Sequence, residues 1–145
     1  MRRILLILTA TSVCLLSAAV SFAGPATIKI GALLAVTGPP SFLGEPERNS
    51  AKMVVDEINA KGGIKGKKLE LVVYDTQGDP TKAVQAANRL IKEDRVVAII
   101  GPSTTGESMA VIKVAEENSI PLISCAAGSK ITDPVKKCRN LSGKV

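Results

Sequence analysis

Histidine is absent from this sequence. Without an imidazole, no serine or cysteine hydrolase that relies on a histidine base can be assembled, and no metal site with a histidine ligand. Tryptophan is absent as well, and one tyrosine and two phenylalanines leave little to stack on nucleobases. The formal charge is +6, but the lysines are scattered through helices and turns and form no basic stripe. That pattern reads as solubility and argues against nucleic acid as a partner. Cysteine is scarce too: Cys14 lies in the N-terminal apolar segment, and Cys125 and Cys138 are too few and too widely spaced for a zinc motif. Those two are either paired, as export would allow, or free thiols.

What is present begins with an export signal. Arg2 and Arg3 form a basic start, an apolar segment follows, and Ser21-Phe22-Ala23 has the small-x-small form of a cleavage site. Cleavage is expected after Ala23, with Cys14 a passenger, and the product is expected in the periplasm. The competing reading is an uncleaved anchor, since Ile4 to Ala23 carries no charge. The well-formed cleavage site and the Thr and Ser within the segment favour a signal peptide. Residues 24–145 are then enough for one modest domain.

From Thr27 onward the chain alternates. "IKIGALLAV" (28–36) reads as an apolar strand, and Pro46, placed in a first turn, is expected to open a helix with Ala51, Val54, Val55 and Ile58 inward. "KGG" at 61–63 stops it. "KLELVVYD" (68–75) is the second strand; Asp79-Pro80 supplies an N-cap with proline at N1, and Ala83, Ala86, Ala87, Leu90 and Ile91 mark one helix face. "VVAIIG" is the third strand, and "IPLIS" (120–124) the fourth. Between them Thr104 and Glu107 have the S/T-x-x-E spacing of a capping box. This order implies an α/β fold, a parallel doubly wound sheet of Rossmann-like or flavodoxin-like type with right-handed crossovers.

Ligands of such sheets bind beyond the carboxyl ends of the strands. That edge is expected to be made by 37–45, 75–80, 101–106 and 125–129, three of them rich in Gly, Ser and Thr. "GPSTTGES" (101–108) therefore reads as a helix cap and, with the N–H groups around Gly106 and the hydroxyls of Ser103 and Thr105, as a cradle for a carboxylate. Nucleotide motifs fail. No G-x-G-x-x-G follows the first strand, and "GGIKGKK" (62–68) has the wrong spacing, no following Ser/Thr, and lies between a helix and a strand. Asp75 and Asp79 read as a strand end and a cap in preference to an acid/base or metal pair.

The blocks "IKIGALLAVTGPPSFLGE", "NSAKMVVDEINAKGGIKGKKLELVVYDTQGDPTKAVQAANRLI", "VVAIIGPSTTGESMAV" and "IPLISCAAGSKITDPV" resemble the first lobe of the periplasmic branched-chain amino acid binding proteins, the type I solute receptors of ABC transporters. The resemblance implies binding without catalysis, no cofactor, a small-molecule ligand such as a branched-chain amino acid or another small carboxylate, and a membrane permease as partner. It implies that Thr105 takes the carboxylate with Ser103 and Thr104 beside it. Ala126 and Ala127 match the segment whose backbone meets the ligand; Gly128, followed by Ser129, stands where many relatives carry a hydroxyl. Leu43 stands where branched-chain binders have an aromatic contact, with Phe42 next to it as a substitute.

The family has a second lobe, so residues 24–137 are expected to be an incomplete first lobe. The tail "CRNLSGKV" (138–145) lacks the aromatic-rich strand that relatives carry there, and a frameshift or assembly break is the expectation for it. A ligand-sensing domain of the same fold is the alternative function. A small flavodoxin-like enzyme would need a catalytic constellation in the four loops, and none is found.

Overall fold

The computed structural model describes residues 27–132; the expected signal peptide and cleavage site, Cys138 and the tail lie outside the described residues. Four strands alternate with three helices: β1 (Ile28–Leu34), α1 (Ser41–Ala60), β2 (Leu69–Asp75), α2 (Pro80–Lys92), β3 (Ala98–Ile100), α3 (Thr105–Glu117) and β4 (Leu122–Ile123), with a 3-10 turn at Ser129–Ile131. All pairings are parallel, in the order β2-β1-β3-β4. The expected α/β sheet is therefore found. Because β1 connects to β2 on one side while β2 crosses back over β1 to reach β3, right-handed crossovers put α1 on one face and α2 and α3 on the other. The switch in direction falls between β1 and β3.

The core lies between the sheet and the α2/α3 layer. Leu33, Leu90, Ile99, Val111 and Leu122 are buried there with Ala83, Ala86 and Ala87. Each large aliphatic side chain stabilises by roughly 1.5–3 kcal/mol on burial, and the three alanines let α2 lie close to its neighbours. Asp79 caps α2 as expected, accepting from Thr81 N at 2.7 Å and Lys82 N at 3.0 Å, with Pro80 at the first position.

α1 departs from expectation at its start. Pro46 does not open the helix; it lies inside it, because Gly38-Pro39-Pro40 already forms the turn, with Ser41 N donating to Gly38 O at 3.1 Å and Leu43 N to Pro40 O at 2.9 Å. The proline is tolerated because it is exposed, so the Phe42 carbonyl that it leaves without an N–H partner can turn to water. The loop expected over 37–45 is correspondingly shorter. Val54 is also not inward, being 47% exposed. The side of α1 toward the sheet is Gly44, Ala51, Val55 and Ile58, and Val54 lies beyond its margin. The strands are shorter than the apolar runs that mark them, most of all β3 and β4. Among the described residues, no helix is long and apolar enough to cross a membrane.

Two contacts seat α1. Gly44 is buried, and a Cβ there would fall 2.3 Å from the carbonyl carbon and oxygen of Ala35, so the first turn presses on the end of β1. At the other end Asn59 clasps β2 as a strand would, Nδ2 donating to Leu69 O at 2.8 Å and Oδ1 accepting from Leu69 N at 2.7 Å.

Candidate functional site

The switch between β1 and β3 brings the loops after these strands together, and Ser103 locks them. Its side chain is buried; Oγ accepts from Ala35 N at 3.0 Å and donates to Glu47 Oε2 at 2.5 Å. One hydroxyl thus ties the end of β1, the loop after β3 and the second turn of α1. A hydrogen bond to a charged group is worth about 1.5–3 kcal/mol, so Ser103 is a strong bracket for the floor of the edge. Glu47 was not legible in the sequence, because its inward direction follows only once α1 starts at Ser41.

A second bracket stands beside it. Asp75, at the end of β2, accepts from Thr37 Oγ1 at 2.5 Å, Thr37 N at 3.1 Å and Gln77 N at 3.1 Å. Partial burial pushes its carboxyl pKa up, but these hydrogen bonds outweigh that effect and hold it below the usual range. Asp79 is likewise held low, by the N–H groups of Lys82 and Thr81. Asp75 is occupied in holding the loops after β1 and β2, and Asp79 in capping α2.

The start of α3 is the capping box that the spacing predicts. Thr104 Oγ1 accepts from Glu107 N at 3.4 Å, while Glu107 Oε2 accepts from Thr104 N at 3.1 Å and from Thr104 Oγ1 at 2.6 Å. Glu107 is fully buried, and its other oxygen has no partner among the described residues. The box consumes two of the orphan donors of the helix and leaves two. The N–H groups of Thr105 and Gly106 have no hydrogen-bond partner among the described residues. They mark where an anion or carboxylate is stabilised by free donors and the helix dipole, an effect of about 0.3–1 kcal/mol at an exposed site.

The loop after β4 closes the other side. Cys125 N donates to Pro102 O at 3.2 Å, Ala126 N to Ser124 Oγ at 3.1 Å, and Ser124 Oγ pairs with Ser108 Oγ at 2.7 Å. This holds Ala126, Ala127, Gly128 and Ser129 around an open hollow of about 300 Å³ that Ser124 and Ile131 also line. Gly128 touches Thr105: a Cβ at 128 would lie 2.3 Å from Thr105 Cγ2 and 2.7 Å from Oγ1. The space that a side chain at 128 would need is therefore filled by the threonine opposite.

Of the residues singled out from the sequence, Ser103, Thr104, Thr105 and 126–129 are brought to one edge. Their jobs differ: Ser103 is committed to Ala35 and Glu47, Thr104 to the cap, and Thr105 has no side-chain hydrogen bond among the described residues. Leu43 is 38% exposed in the first turn of α1. Phe42 is 73% exposed, on the side of the helix opposite Gly44 and Ala51, and packs in no core. Among the described residues Cys125 is unpaired and exposed, and as a thiol its pKa is pushed up by desolvation and by the Glu47 carboxylate, which would keep it protonated and a poor nucleophile at neutral pH. Among the described residues no group of three or more His, Cys, Asp or Glu is placed to hold a metal. The chemistry available is donation of hydrogen bonds to a small polar ligand.

The sequence and the fold are similar to those of known proteins. The family described as periplasmic binding protein matches residues 27–140. The Leu/Ile/Val-binding protein BraC3 of Rhizobium johnstonii is 36% identical over 119 residues, covering 82% of this chain and 32% of that protein. The branched-chain amino acid transporter substrate binding protein LivJ of Streptococcus pneumoniae, solved with isoleucine, superimposes with a TM-score of 0.72 at 36% identity, covering 74% of this chain and 31% of that one. A solute binding protein of an ABC transporter from Rhodopseudomonas palustris, solved with 3,4-dihydroxybenzoic acid, gives 0.68 at 28% identity, covering 74% and 29%. The chain spans about a third of the length of the curated relatives that it matches.

Proposed function

The chain belongs to the periplasmic binding protein family, and on that premise we propose that residues 24–137 form the first lobe of the extracytoplasmic solute-binding component of an ABC transporter. Its ligand is a branched-chain amino acid or a related small carboxylate, and its partner is a membrane permease. The observation that carries this reading is the start of α3, where the capping box leaves the N–H groups of Thr105 and Gly106 unused beside the Thr105 hydroxyl and the 126–129 loop. Those donors suit a carboxylate. The relatives solved with isoleucine and with an aromatic acid support this ligand class. No bond is broken: the site binds and releases.

A cradle on one lobe covers one side of its ligand, so binding by this chain alone is expected to be weak. Backbone amide spectra of the purified chain, titrated with leucine, isoleucine, valine and 3,4-dihydroxybenzoate, test this. Millimolar-range shifts confined to Thr105, Gly106 and 126–129 are expected. Titration without change at these amides would refute the cradle, and submicromolar affinity would refute its one-sidedness.

A further inference from the structure

α1 exposes an ordered apolar line to solvent. Phe42 is 73% and Met53 65% exposed. At about 100° per residue, Phe42, Pro46, Asn49 and Met53 fall within about 30° of a single line, opposite the Gly44, Ala51, Val55 and Ile58 side. Their spacing of four, three and four residues is that of a coiled-coil seam. Three of the four are apolar, and the fourth is asparagine, the polar residue such seams tolerate because it fixes register.

We propose that this face of α1 joins two copies of the chain. The helices pair antiparallel about a twofold axis, with Phe42 of one copy against Met53 of the other and Pro46 against Asn49. A second copy is the occupant because the charges obey the same symmetry. In this register Glu45 of one helix lies beside Lys52 of the other, and the twofold axis makes that pair twice. Within its own chain Lys52 has no ion pair among the described residues, and Glu45 reaches only Arg48, at 3.6 Å.

The helix ends match too. α1 has Pro40 at its N-cap, with no side-chain cap and no acidic residue in its first turn. Antiparallel packing brings Asp56 of the second copy to that N-terminus, where the helix dipole stabilises a carboxylate even though the Ser41, Leu43 and Gly44 N–H groups already have partners. Asp56 would be a buried charge if the seam ran on past Met53; in this register it falls beyond the seam and faces the positive end of the partner helix. The contact runs about 16 Å along each helix, small for a specific interface, so the dimer is a weak one.

The test is analytical ultracentrifugation over a concentration series, on chain exported with its own leader and purified in the form that the cell yields. A reversible monomer–dimer equilibrium is expected, weakened by salt. Met53→Lys is expected to raise the dissociation constant at least about tenfold. Glu45→Lys and Lys52→Glu alone are expected to weaken it, and the double variant to recover it, since each reversed pair is remade across the axis. These side chains are exposed, and far-ultraviolet circular dichroism verifies that each variant remains folded. A chain monomeric throughout the series, association unchanged by Met53→Lys, or a double variant that does not recover would each overturn the proposal.

Discussion

Thr105 occupies the space that a side chain at position 128 would need. The contact joins the first residue of α3 to the loop after β4, and Gly128 holds an ordinary extended conformation with φ −74° and ψ 119°. Alanine at 128 is thus barred by contact and not by backbone geometry.

Gly128→Ala is therefore expected to destabilise by about 1–3 kcal/mol, the usual range for overpacking. Thr105→Ala removes both atoms that stand in the way. In the double variant most of the loss is expected to return, because alanine at a permissive backbone also restricts the unfolded chain. Denaturant unfolding of the two single variants and the double variant measures the coupling. Purely additive losses would show that the two residues do not meet.

Ser103 makes a second prediction. Ser103→Ala leaves the Glu47 carboxylate and the Ala35 N–H without the partner each now has, and a loss of about 2–3 kcal/mol is expected. Glu47→Gln keeps an acceptor for the hydroxyl and should lose less. Thermal unfolding of both distinguishes the bracket from a merely buried serine, for which Glu47→Gln would have no effect.

Acid should loosen the ligand edge. Asp75 and Asp79 have folded pKa values below their unfolded ones, so the stability they contribute is complete above the ordinary aspartate pKa of about 3.9 and is lost as pH falls through the lower folded values. Unfolding free energy is expected to hold above about pH 5 and to decline below it. Asp75→Asn should flatten part of that decline, as followed by denaturant titrations at several pH values. An unchanged slope in Asp75→Asn would remove Asp75 from the account.

Local signals in the chain were legible wherever one residue type forces one geometry. Asp79-Pro80 had to start a helix, Thr104 and Glu107 had to form a reciprocal cap, and the alanines of α2 had to face the core. The start of α1 was misread because proline at a first turn and proline on an exposed helix face look alike in one dimension. Which one holds depends on whether Phe42 O has water beside it, and that depends on how the helix lies on the sheet.

The sequence by itself determined the alternation of elements, the parallel α/β class and the edge at which a ligand would lie, because periodicity, caps and strand direction are local or follow from chain order. Tertiary structure alone decided which hydroxyls at that edge remain available. Ser103 and Thr105 are two residues apart and chemically similar. One is consumed by a carboxylate from α1, 56 positions away in the chain, and an amide from β1, 68 away. The other lies beside Gly128 and has no side-chain hydrogen bond among the described residues. Hydrogen-bond partners so distant in sequence are set by packing, and no local pattern encodes them.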